Sequence, residues 1–154
     1  KRGHMIFWSI LFLTFCFMEG VAWFTHKYVM HGFLWNLHRD HHTHENTGFL
    51  EKNDSFFLIF GLPGAFCTVF GSMFFNDTLL AIGLGITAYG LCYFLIHDVF
   101  IHRRFKWLKK ANGWYFKAIR RAHKMHHIHK GKEDGECFGM LWIPFKYFKS
   151  TKSK

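Results

Sequence analysis

The chain of 154 residues is long enough for one domain, half of its residues are hydrophobic, and it carries a formal net charge of +10. Mean hydropathy is close to zero, at +0.01, because apolar blocks are averaged with a strongly basic remainder, and such segregation marks a membrane protein. Nucleic-acid binding is set aside as the meaning of the charge, since basic loops accompany membrane spans and no nucleic-acid motif is present.

Lys1 to His4 reads as a remnant outside the domain, so His4 is left out of the site argument. Met5 to Trp23 is apolar apart from Glu19 and is too long and too aromatic for a cleaved signal peptide. It is expected to be a retained span, since a bilayer core of roughly 30 Å needs about 20 helical residues. Ser55 to Phe75 and Thr78 to Ile96 carry no charge and form a second and third span, joined as a hairpin at Asn76 and Asp77. Gly71, Gly83, Gly85 and Gly90 suit close approach of helices in lipid. Gly83-Leu84-Gly85 is not a dinucleotide fingerprint, because no strand precedes it.

The polar segments Phe24 to Asp54 and His97 to Lys154 hold every Lys and Arg except Lys1 and Arg2. A hairpin between them puts both on one face, which the positive-inside rule makes cytoplasmic. Cys16, Cys67, Cys92 and Cys137 show no C-x-x-C spacing, which argues against both a disulfide framework and an iron–sulfur cluster. The expected fold is an all-α integral membrane protein with about three to four transmembrane helices and a cytoplasmic, histidine-lined helical dimetal site. Residues 5–148 form its single domain and 149–154 a basic tail.

Thirteen histidines are present, and ten of them form an order that occurs twice: an H-x4-H pair and then an H-x2-H-H triplet. The pairs are His26 with His31 and His97 with His102; the triplets are His38, His41, His42 and His123, His126, His127. Positions i, i+3 and i+4 share a helix face, so each triplet presents its imidazoles together. The i, i+5 pairs diverge on an ideal helix, so each sits at a helix end, spans a local distortion or brackets the site. Ten imidazoles exceed one metal's needs and suit two, but imidazole alone does not choose among iron, zinc, copper and nickel.

Further residues accompany the histidines: Gly32, Asn53-Asp54, the Thr87-Ala-Tyr-Gly90 run before His97-Asp98, Arg103, Ala122, Gly131-Lys132-Glu133 and Phe138-Gly139. With them the chain resembles the bacterial β-carotene hydroxylases of the fatty-acid-hydroxylase-like membrane di-iron superfamily, from Met5 to about Phe148. The resemblance implies O2-dependent hydroxylation at carbon 3 of each β-ionone ring, taking β-carotene through β-cryptoxanthin to zeaxanthin. It implies two iron ions, with His26, His31, His38, His41, His42, His97, His102, His123, His126 and His127 as ligands; zinc is the expected substitute in a crystal, since both metals accept imidazole. It implies a ferredoxin-type electron donor, in keeping with the lack of haem, flavin or iron–sulfur motifs, and a place in the inner membrane. His44 and His129 depart from that pattern and are read as surface residues. A fatty acyl chain or sterol is the alternative substrate, and a membrane metal-binding or transport protein the alternative class. Transport is disfavoured because transport sites usually place ligands near the midplane, and these spans offer only Glu19 and sulfur atoms.

Glu19, two helical turns before His26, and Asp98, beside His97, are expected to support ligands from behind, with Asp40 a weaker candidate. Tyr89, Tyr93 and Phe94, leading into His97, are expected to border an apolar entry path from lipid. The cluster of Arg103, Arg104, Lys106, Lys109, Lys110, Lys117, Arg120 and Arg121 is expected to receive the electron donor.

Overall fold

Helix formation in this chain follows the apolar runs and extends beyond them. The computed structural model describes residues 2–43, 48–108 and 110–149, and among them there are helices and turns but no strand. Helix α1, Arg2–Phe24, passes directly into a π-helical segment, Thr25–Phe33, that kinks at Gly32. The short helix α2, Trp35–Thr43, follows. A single 3-10 turn, Lys52–Asp54, leads into α3, Ser55–Met73. Helix α4, Asp77–Phe94, again passes into a π-helical segment, Leu95–Ile101. Helix α5, Trp114–Ile128, and a 3-10 turn at Phe145–Tyr147 complete the chain. His44 and Lys109 lie outside the described residues.

Arg2–Phe33, Lys52–Met73 and Asp77–Ile101 are each long and apolar enough to cross a membrane. Their outward faces carry large exposed side chains such as Phe12, Phe17, Leu58, Leu62 and Phe66. Exposed apolar surface on this scale belongs in contact with lipid, and the protein is a membrane protein.

The hairpin between α3 and α4 is built from local hydrogen bonds. Asn76 N–H reaches Gly71 O at 2.8 Å and Phe75 N–H reaches Ser72 O at 3.4 Å, the pairing that closes a helix through a left-handed residue. Phe75 fills that position with φ of 50°. Asn76 then caps α4, its side chain accepting from Leu79 N–H at 3.0 Å.

Two glycines set the approach of α4 to α3. A Cβ on Gly71 would fall 2.4 Å from Leu80 N, and one on Gly83 would fall 2.4 Å from Thr68 N. Gly85 does the same toward Leu11 and Thr14 of α1. Gly90 differs from the packing role expected of it. A Cβ there meets nothing within 4 Å, because Gly90 borders a cavity.

Below the spans, α5 packs through Ala118, Ile119 and Ala122 on Phe100 and on Met140, Ile143 and Tyr147 of the C-terminal segment. This apolar cluster fixes α5 and residues 138–147 beneath the ends of α1 and α4.

Candidate metal centre

The π-helical segments explain the histidine pairs. A hydrogen-bond repeat of five residues places i and i+5 one above the other, which an ordinary helix turn does not do. His102 N–H bonds His97 O at 2.9 Å, and Leu34 N–H bonds Val29 O at 2.9 Å. His26 and His31 therefore face the same way, with ring centroids 5.2 Å apart, and His97 and His102 are 4.5 Å apart. The local distortion, among the three alternatives, is the one adopted.

Two groups of histidine nitrogens result. His26, His31, His38, His42 and His126 form the first, and His41, His97, His102 and His123 the second, with ligand-type atoms inside each group within 4.8 Å of one another. His127 joins them at the boundary. Its Nε2 lies 2.8 Å from that of His123, and its ring stacks on His42 with centroids 4.4 Å apart. Each H-x2-H-H triplet thus divides between the groups rather than serving one. On α2, His38 and His42 turn to the first group and His41 to the second; on α5, His126 turns to the first and His123 to the second.

Outward hydrogen bonds determine which nitrogen faces inward. His26 Nδ1 donates to Phe138 O at 2.9 Å, His31 Nδ1 to Lys130 O at 2.8 Å and His126 Nδ1 to Glu136 O at 3.1 Å. His38 Nδ1 lies 2.7 Å from Asn53 Oδ1, His41 Nδ1 2.8 Å from Glu51 Oε2 and His97 Nδ1 3.1 Å from Asp98 Oδ2. A carbonyl only accepts, so in neutral His26, His31 and His126 the proton sits on Nδ1 and Nε2 presents a lone pair. Yet His31 Nε2 and His126 Nε2 stand 3.2 Å apart. His26 and His42 bring Nε2 within 3.0 Å of His38 Nε2, and His102 Nε2 lies 2.8 Å from His123 Nε2.

Facing lone pairs repel unless a cation lies between them. Protonation is opposed by burial first and by neighbouring imidazoles second, which hold His38, His41, His42, His123 and His126 below the ordinary imidazole range. Nitrogens bound to one metal at about 2.0–2.1 Å stand roughly 3 Å apart when they meet at a right angle. The observed separations fit that spacing. The buried His41 Nε2, without a hydrogen-bond partner among the described residues, fits it too.

The carboxylates take distinct places. Asp98 contacts His97 directly, and its other oxygen accepts from Arg104 Nη1 at 2.8 Å. Arg104 is shared with Asp54, at 2.6 and 2.8 Å, and its pKa is raised by those bonds. Arg104 is therefore part of the scaffold behind the histidines and not of a donor-facing surface. Asp40 accepts from Lys52 N–H at 2.7 Å and so fastens α2 to the turn before α3.

Glu19 acts at a remove from His26. Its carboxyl oxygens accept from Leu141 N–H at 2.9 and 3.0 Å, Trp142 N–H at 2.8 Å and Tyr89 O–H at 2.6 Å. The acceptor for His26 Nδ1–H is instead Phe138 O, carried on the same C-terminal segment. Glu19→Leu, which leaves two backbone N–H groups and a tyrosine without their acceptor, is expected to lower metal content and turnover about 10- to 100-fold. Glu19→Gln keeps one acceptor and should lose less, while Phe12→Leu, at a lipid-facing position, should lose nothing. Metal analysis beside initial rates measures the order.

A cavity of about 310 Å³ lies between α1, α3 and α4. Its walls are apolar, from Met18 and Ala22 through Phe56, Phe60 and Ile86 to Tyr89 and Gly90, and its inner end is made by His26, Asn53, His97 and Asp98. Tyr89 and Tyr93 border it as expected. Phe94 instead packs on Phe57 and Phe105. Asn53 and Glu51, as partners of His38 and His41, carry no recognisable sequence signal for that role. His129 closes α5 apart from both groups.

Membrane-length helices over a buried double histidine cluster define a membrane protein whose side chains are arranged as a metal site would need them. The chain belongs to the fatty acid hydroxylase family, whose pattern matches residues 11–149. It is 38% identical over 135 residues to "Beta-carotene hydroxylase" of Pantoea ananas, covering 88% of this chain and 76% of that protein. It is 40% identical over 136 residues to the protein of that name from Pseudescherichia vulneris, covering 86% and 74%. "Beta-carotene 3-hydroxylase, chloroplastic" of Haematococcus lacustris is 39% identical over 132 residues, covering 82% of this chain and 40% of its own. No solved structure matches.

Proposed function

We propose that the protein hydroxylates the β-ionone rings of β-carotene at carbon 3, yielding β-cryptoxanthin and then zeaxanthin, with one iron held by each histidine group. The observation that carries this reading is the cavity. It is apolar along its length and ends on one histidine of each group, His26 and His97. A hydrocarbon ring seated there displaces water and brings its edge to both groups at once.

The residues divide the work. His26, His31, His38, His42 and His126 would hold one iron, and His41, His97, His102 and His123, with His127, the other. Bound iron supplies the redox chemistry that activates O2 toward a C–H bond, chemistry that zinc lacks. Burial keeps the imidazoles of His38, His41, His42, His123 and His126 neutral and so able to bind metal. Phe56, Phe60 and Ile86 exclude water from the reacting end, and Tyr93, in ring contact with His97 at 5.2 Å, closes the wall beside it. The hydroxyl takes one oxygen atom, and the other leaves as water with an electron pair and protons from outside. A ferredoxin-type protein is the donor, docking on the basic face that retains the exposed Arg103, Lys106, Lys110 and Lys117. That face is cytoplasmic, and the membrane the inner one, by the distribution of Lys and Arg.

Expression in cells that accumulate β-carotene, followed by pigment chromatography, tests the reading. Zeaxanthin with some β-cryptoxanthin is expected. Unchanged β-carotene from a folded, metal-loaded protein would overturn it in favour of another lipid.

A further inference from the structure

The two histidine groups differ in what stands behind them. In the first, every named outward partner is neutral: the carbonyls of Phe138, Lys130 and Glu136, and the Asn53 amide. In the second, the named partners are carboxylates, Glu51 on His41 and Asp98 on His97. An imidazole whose N–H donates to a carboxylate is more basic at its other nitrogen, and charge-assisted bonds are roughly twice as strong as neutral ones. Arg104 does not cancel Asp98, because it also spans Asp54 through two bonds. One guanidinium between two carboxylates leaves a net negative charge beside His97.

We infer that the two metal positions are unequal, with the group around His41 and His97 binding its cation first and more tightly, and that Glu51 and Asp98 are the positioning residues that make it so. The inference rests on the two-metal reading above. The difference follows from electrostatics as well as basicity. A divalent cation at the second group lies near two anionic side chains, with Glu51 only about one-fifth exposed and Asp98 almost wholly buried. The named hydrogen-bond partners of the first group offer its cation only dipoles. Coulomb attraction at these distances is little screened by salt.

The experiment uses the full chain in detergent, stripped of metal and titrated with Co2+ alone, each binding step followed by visible absorption and by retained metal after gel filtration. Two equivalents should bind, the first at least about 10-fold tighter than the second. Glu51→Gln keeps the size of the side chain and an acceptor for His41 but removes the charge. It should weaken the first step about 10- to 100-fold and leave the second in place, and Asp98→Asn should act the same way. His123→Ala should abolish the tight step and His126→Ala the loose one, with circular dichroism and thermal midpoint showing that each variant is folded. Two equivalents of equal affinity, or Glu51→Gln weakening both steps alike, would overturn the inequality while leaving a two-metal protein. Fewer than two equivalents in the unmodified chain would overturn the two-metal reading itself, and this inference with it.

Discussion

Alanine at His126 is expected to remove about one equivalent of metal and to lower hydroxylation at least about 100-fold, while His129→Ala keeps both metal and rate. His126 is fully buried. Its Nε2 faces that of His31 at 3.2 Å, and its ring lies 4.4 Å from that of His26. Losing it opens the first group and leaves a void among the tilted and edge-on imidazoles packed around it. The second group keeps its own nitrogens, so the loss should be partial in metal and near complete in turnover. His129 lies only three residues further on, at the end of α5, outside both groups. Its replacement controls for nonspecific damage to the helix. Iron content by elemental analysis, measured with the rate, separates an emptied site from a misfolded chain. Full activity in His126→Ala would remove this residue from the ligand set.

The spans were legible because bilayer thickness imposes a length on apolar runs, and Ser55 begins α3 where the charge pattern says it should. Their inner ends were not. The helices continue through His26–His31 and through His97 by shifting to a five-residue hydrogen-bond repeat, and that register is chosen by the packing of the whole site rather than by local propensity. The triplets were legible as helix faces, but which histidine joins which group depends on how α2 and α5 are placed about the site, a tertiary fact. Outward partners were the least legible. Backbone carbonyls of Phe138, Lys130 and Glu136 leave no trace in side-chain identity, and Glu51 lies ten residues beyond His41. Asp98 was legible because it is adjacent to its histidine. Glu19 lies toward the same end of α1 as His26, but its partners, 70 to 123 residues away, lie on α4 and the C-terminal segment. Arg104 reads as one more basic surface residue until Asp54 and Asp98 are brought to it by the fold.

Leucine at Gly90 is expected to leave the protein folded and its metals in place while lowering carotene turnover at least about 10-fold. The argument turns on what each glycine faces. At Gly83 a side chain would meet the backbone of Thr68 at 2.4 Å, so Gly83→Leu should separate α3 from α4 and lower stability. At Gly90 an added carbon meets nothing within 4 Å, and removing glycine from a helix interior is if anything favourable, by roughly 1 kcal/mol. Gly90 lines a cavity of about 310 Å³ whose inner end is formed by His26 and His97, so the added side chain is expected to occupy part of it. A few added methyl and methylene groups in a close-fitting apolar pocket discriminate by roughly 10- to 200-fold each way, and a rigid ring has little freedom to evade them. Gly90→Ala should fall between the two. Metal content and thermal midpoint should match the unmodified chain, and the loss should appear in kcat/KM for carotene. Unchanged kcat/KM in a folded, metal-replete Gly90→Leu would mean that the hydrocarbon reaches His26 and His97 by another route.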